Sequence, residues 1–89
     1  MIKSPALMTE TIYLNDCSSP TVRLFGKRMK QRRRELQLTQ VQIFERTGVA
    51  STYLSMIENG RANPTIETIE KLAGSVGLEV WAMLRPDHP

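Results

Sequence analysis

From residue 20 onward, apolar positions recur with a helical period. Val22, Phe25, Met29 and Leu36 stand at i, i+3, i+7 and i+14, one face of an amphipathic helix running from about Pro20 to Gln37. Ser19 offers an N-cap oxygen, and Pro20 sits at the first helical position, where a missing N–H costs nothing. Two residues interrupt the stripe. Gly26 costs roughly 1 kcal/mol relative to Ala inside a helix, a cost that makes sense where another element approaches the backbone closely. Arg33 takes the apolar position at i+11, where a guanidinium requires a partner.

Thr39 and Gln42 form a T-x-x-Q capping box, and Leu38 and Ile43 occupy the two positions of a hydrophobic staple, so a second helix starts sharply at Thr39. Gly48, about two turns on, suits a left-handed helix terminus. A third helix is predicted from Ala50 or Ser51 to Asn59, closed by Gly60. It turns Ala50, Tyr53, Leu54 and Ile57 inward and Ser51, Thr52, Ser55, Met56 and Asn59 outward. Thr65 caps a fourth helix with Ile66, Ile69, Leu72, Ala73 and Val76 on its apolar face, and Gly77 stops it. From Leu78 to Arg85, apolar residues alternate with the period of a strand, with a short fifth helix as the alternative.

The predicted fold is all-α: a helix-turn-helix bundle of about four helices, with an N-terminal arm (residues 1–19), a helical domain (20–77) and a C-terminal strand or short fifth helix with a tail (78–89). Eighty-nine residues, 40% of them hydrophobic, suit one domain whose modest core favours a dimer. Val80, Trp81, Ala82, Met83 and Leu84 would present apolar side chains on both faces, and a strand there would pair with its copy across a two-fold axis.

Charge adds a partner to this picture. Of the twelve basic residues, seven fall within residues 21–38, opposed only by Glu35, for a local charge of +6 against −3 over the rest of the chain. Arg28, Arg32 and Lys27 are therefore read as phosphate contacts or long-range attraction for nucleic acid. Cys17 is the single cysteine and no metal-ligand spacing occurs, so neither disulfide, metal nor cofactor is expected. No signal-peptide pattern or membrane-length apolar run is present, and a cytoplasmic location is the expectation. The only histidine is His88 in the tail, and no nucleophile–base pair or phosphate loop is visible, so an enzyme is not expected.

Two short helices joined at Gly48, the second with a polar outer face, form a unit that places a helix in the DNA major groove. Hydroxyls on that face suit base edges or phosphates, and the Thr52 methyl or Met56 suits a thymine methyl. A protein-interaction module is the competing reading, and the absence of an aromatic platform in the helical region disfavours RNA.

The run LTQVQIFERTGVASTYLSMIENGRANPTIETIEKLAGSVG resembles the helix-turn-helix domain of the Xre and lambdoid phage repressor/Cro family. The pattern Thr39-Gln40, Gly48-Val49, Tyr53-Leu54-Ser55, Ile57-Glu58-Asn59-Gly60 and Pro64-Thr65 carries the likeness, and Phe25-Gly26 matches an apolar-Gly pair of the first helix. The resemblance implies a lambda-repressor-like bundle and double-stranded operator DNA as partner. It implies phosphate contacts from Gln40, Asn59 and Arg61, base reading by Ser51, Thr52, Ser55 and Met56, and a structural ion pair between Arg33 and Glu58. Glu58 lies one turn beyond Leu54, which independently turns it toward the core. Two positions depart from the pattern: Phe44 replaces a small residue in the second helix, which implies splayed or repacked helices, and Gln37 replaces a glycine before it. The short alternating tail is similar to HipB-type antitoxins, homodimeric repressors that bind a HipA-like kinase toxin. The alternatives are a restriction-modification controller or a Cro-like repressor.

Overall fold

The structure, a computed structural model, describes residues 18–86. The arm proposed for residues 1–19 lies outside the described residues except for Ser18 and Ser19. Five helices follow: α1 (Pro20–Glu35), α2 (Gln40–Thr47), α3 (Ser51–Glu58), α4 (Ile66–Ser75) and α5 (Val80–Leu84).

The local signals act where the residue pattern puts them. Ser19 accepts from the Val22 N–H with Pro20 in the first turn, and Thr65 accepts from the Thr68 N–H. At Thr39 both arms of the capping box are made, Gln42 N–H to Thr39 Oγ1 at 3.0 Å and Thr39 N–H to Gln42 Oε1 at 2.8 Å. Gly48, at φ 79, turns the chain between α2 and α3. α1 closes two residues early. Leu36 is its C-cap and remains 39% exposed, so the core stripe stops at Met29 and Arg33 and does not extend to Leu36.

One core joins all five helices. Phe25 and Met29 of α1, Ile43 of α2, Leu54 and Ile57 of α3, Leu72 of α4 and Met83 of α5 are fully buried. Gly26 explains itself in this packing: a Cβ there would lie 2.0 Å from the Ile57 carbonyl oxygen, so glycine lets α3 press backbone to backbone on α1.

The strand expected over Leu78 to Arg85 is a helix, and no strand occurs among the described residues. Val80, Met83 and Leu84 stand at i, i+3 and i+4 on its inner face, with Met83 completely buried and the other two packed against the core. Burying Met83 contributes about 1.5–3 kcal/mol, which a strand crossing the same surface with alternating sides would forfeit in part. A five-residue helix is unstable alone. Arg28 supports this one from α1 by donating to the carbonyls of Ala82, at 3.2 Å, and Arg85.

Phe44 corrects a second expectation. Its side chain is 47% exposed, and it is Ile43 that fills the space between the helices. Neither splaying nor repacking is needed.

Candidate nucleic-acid interface

α2 and α3 are clamped by a buried charge network. Arg33 lies under both helices and donates from Nε to Glu58 Oε2 at 2.9 Å, from Nη2 to Glu58 Oε1 at 3.0 Å, and from Nη1 to the Leu38 carbonyl at 2.9 Å. Glu58 Oε1 also accepts from Gln40 Nε2 at 3.2 Å. The guanidinium is thus joined to α3 through the carboxylate and to the α1–α2 turn through the carbonyl, while Gln40 fastens the start of α2 to the end of α3. Hydrogen bonding to Glu58 holds Arg33 above the ordinary arginine range, outweighing the opposite effect of burial, with Coulombic attraction adding to it. The pair is bidentate and the guanidinium adds a third bond to the Leu38 carbonyl, a geometry that favours a buried ion pair.

Before α2 the chain turns through Gln37 at φ 59, the one non-glycine residue with positive φ among the described residues. Leu38 N–H bonds the Arg33 carbonyl at 3.0 Å and Gln37 N–H bonds that of Arg34 at 2.9 Å, a double closure of the helix end that favours glycine at this position. The departure from the family pattern at residue 37 leaves the turn intact and places a side chain in a strained backbone region.

On the outer side of α3, Thr52 is exposed, Met56 is 45% exposed, and Ser51 and Ser55 are half-buried. Thr52, Ser55, Met56 and Asn59 fall at i, i+3, i+4 and i+7, opposite Leu54, Ile57 and Glu58. Their polar groups are unspent. Elsewhere in residues 18–86, every serine and threonine hydroxyl except that of Thr21 makes a hydrogen bond, at a helix cap, to a carbonyl or to Thr65. The hydroxyls of Ser51, Thr52 and Ser55 make none among the described residues, and neither do the side chains of Asn59 and Arg61, both exposed just beyond α3. Gln40, half-buried, spends one amide N–H on Glu58 and keeps the other and its carbonyl oxygen.

Arg28 and Arg32 do not join this surface. α3 packs on the side of α1 that carries Gly26 and Arg33, whereas Arg28 reaches α5 and Arg32 donates from Nε to the Val76 carbonyl at 3.0 Å, capping α4. Arg32 also pairs with Glu35 at 3.5 Å. Residue type does not reveal on which side of a helix an arginine is used, and this assignment needed the packing of α4 and α5. The bond from Gln40 to Glu58 was also invisible in sequence, because no spacing rule links residues 18 apart.

The residues proposed for dimerisation are divided by α5. Met83 lies wholly inside the subunit core, Ala82 is half-buried, and Val80 and Leu84 rest against the core, while Trp81 is 61% exposed with the Arg85 guanidinium 5.4 Å from its ring centre. Among the described residues no cluster of potential metal ligands occurs, and no helix is long and apolar enough to cross a membrane.

Residues 29–79 match the helix-turn-helix family HTH_3. The chain is 42% identical over 59 residues to the immunity repressor protein of Bacillus phage phi105, a match covering 66% of this chain and 41% of the repressor, so it spans less than half of that relative. Among solved structures it is similar to the N-terminal DNA binding domain of SinR from Bacillus subtilis, with a TM-score of 0.68 and 34% identity over 75% of this chain and 99% of that one. It is also similar to SinR, the master regulator for biofilm formation, in complex with DNA, with a TM-score of 0.63 and 37% identity over 68% of this chain and 98% of that one.

Proposed function

This chain belongs to the HTH_3 helix-turn-helix family, and on that premise we propose that it is a sequence-specific operator-binding transcription regulator that represses as a homodimer. The observation that carries the reading is the outer face of α3. The other serine and threonine hydroxyls of the described residues, Thr21 apart, are consumed by the fold, yet those of Ser51, Thr52 and Ser55 are held unspent on a helix clamped at its far end by Arg33 and Glu58. Such a face suits the major groove: the three hydroxyls meet base edges, and Met56 and the Thr52 methyl meet thymine methyls. Gln40 at the start of α2 and Asn59 and Arg61 after α3 flank the face and take phosphates, fixing register without reading sequence. Trp81, the large apolar side chain that α5 leaves outside the core, anchors the second subunit.

The relatives favour a repressor of the phage-immunity or SinR kind over an antitoxin. A HipB-type role with a HipA-like kinase partner drew on a C-terminal strand, and residues 80–84 are helical. That reading is not carried forward.

Selection of the full chain against random duplexes tests the proposal. A two-fold symmetric site is expected, with half-sites about 34 Å apart and affinity falling steeply with salt. Substitutions at Thr52 or Met56 should change the preferred bases, whereas Gln40→Ala should weaken every sequence alike. Recovery of no enriched site from the selection would leave the chain as a protein-interaction module.

A further inference from the structure

The capping roles of Arg28 and Arg32 leave a different set of cations on α1 to account for. Arg23, Lys27, Lys30 and Arg34 stand at i, i+4, i+7 and i+11, a single row along the helix. Lys30 is half-buried and the other three are exposed, and Arg23 spends one N–H of Nη1 on the Ser18 carbonyl while keeping the rest of its guanidinium donors. Lys27, Lys30 and Arg34 make no hydrogen bond or ion pair among the described residues. The nearest acid along the helix, Glu35, is occupied by Arg32 at 3.5 Å and Gln31 at 3.4 Å.

The row has a definite side. Arg23 runs past Gly60 so closely that a Cβ there would meet its Cγ at 3.1 Å, Gly26 abuts Ile57 of α3, and Arg33 reaches Glu58. Residues 23, 26 and 33 therefore mark the flank of α1 that lies along the end of α3 and the loop after it. Lys27, Lys30 and Arg34 form the next row outward on that flank, away from the α4–α5 side where Arg28 and Arg32 are used.

We propose that Arg23, Lys27, Lys30 and Arg34 form a second phosphate-binding track, continuous with Asn59 and Arg61, that carries the DNA backbone beyond the bases read by α3. This rests on the operator-binding reading above. The row spans about 16 Å at 1.5 Å per residue. A duplex strand presents one phosphate per about 3.4 Å of axis, so several fall within reach. Long, flexible, unpaired lysines suit diffuse attraction to phosphates, not base reading. The track accordingly adds affinity for every sequence and none of the discrimination. Its basic character selects a polyanion, and its continuity with the face of α3 selects DNA over an acidic protein.

The test compares the full chain with a Lys27→Ala/Lys30→Ala/Arg34→Ala variant, titrating the selected operator and an unrelated duplex across a salt series. Lys71→Ala, an exposed lysine on α4, serves as control. The triple variant should melt like the parent, because these side chains have no partner to lose. Its slope of log affinity against log salt should become shallower by about 0.9 for each contact removed. At about 0.1 M salt, affinity should fall by close to tenfold per contact, equally on both duplexes. The control should change neither quantity. A triple variant with the parent's slope and affinity would overturn the track while leaving the reading face of α3 intact. A loss confined to the operator would overturn it too, since the row would then be reading sequence. A parent chain that bound no duplex would overturn both proposals together.

Discussion

Gly26→Ala is the smallest change that separates close backbone packing from helix propensity. In isolation the substitution helps, since Ala is favoured over Gly inside a helix by about 1 kcal/mol. In this fold the new Cβ would stand 2.0 Å from the Ile57 carbonyl oxygen, 3.0 Å from its carbon and 3.3 Å from the Glu58 Cα. Relief to an ordinary carbon–oxygen contact of about 3.3 Å moves α1 and α3 apart by about 1 Å. The obstacle is backbone on both sides, so no side chain can swing away. Overpacking costs about 1–3 kcal/mol where side chains can adjust and more where they cannot, and the same displacement draws Glu58 off Arg33. With the propensity gain subtracted, a net loss of about 2 kcal/mol follows, equivalent to a fall in melting temperature of about 8–16 °C for a domain of this size. The comparison is Gly74→Ala on α4, where an added Cβ meets nothing within 4 Å and φ is not positive, and which should be neutral or stabilising by up to about 0.5 kcal/mol. Thermal melts followed by circular dichroism measure both. A Gly26→Ala protein melting at or above the parent would refute the contact between α1 and α3.

Other perturbations probe different parts of the molecule. Arg33→Ala leaves the Glu58 carboxylate buried and unpaired and should cost about 3–5 kcal/mol in urea denaturation, a large part of the whole stability of a small domain. Gln37→Gly relieves a side chain at φ 59 and, after allowance for glycine's greater freedom when unfolded, should stabilise by about 0.5–1 kcal/mol, read as a higher denaturant midpoint at unchanged slope. Trp81→Glu should shift the sedimentation profile toward monomer and weaken operator binding while leaving the melting transition of the monomer near that of the parent, because this side chain lies outside the core. Truncation before Glu79 is a poorer test of the same point, since it also removes Met83 from the core.

Helix starts were the most legible part of the chain because their signals are local. Ser19, Thr39 and Thr65 each accept from the amide three residues ahead, and nothing distant can alter that arithmetic. Arg33 was legible by contradiction: a charge on an apolar stripe calls for a buried partner, and Glu58 fills the place. The C-terminal segment was ambiguous because five residues satisfy two periods at once. Val80, Ala82 and Leu84 alternate as a strand would, while Val80, Met83 and Leu84 form a helical face. The choice falls to Met83 entering a core built by the other helices and to Arg28 reaching from α1, 54 residues away, to the Ala82 carbonyl. The same distance effect hid the division of labour among the arginines. Phe44 was misjudged because size was weighed before orientation, and a phenyl ring that faces outward crowds nothing.

The unspent hydroxyls of α3 bear on how this protein can change over time. Residues 51, 52, 55 and 56 contribute no side-chain hydrogen bond to the fold, so drift at those positions meets little resistance from stability. The buried ion pair of Arg33 and Glu58, by contrast, tolerates almost no drift, because the loss of either leaves the other's charge buried without its partner. Alphabet and chassis are thereby uncoupled. If α3 reads the operator as proposed, a duplicated copy could acquire a new operator through changes at these four positions while its scaffold stays the same, and two such copies in one cell could come to address different promoters without either passing through an unfolded intermediate.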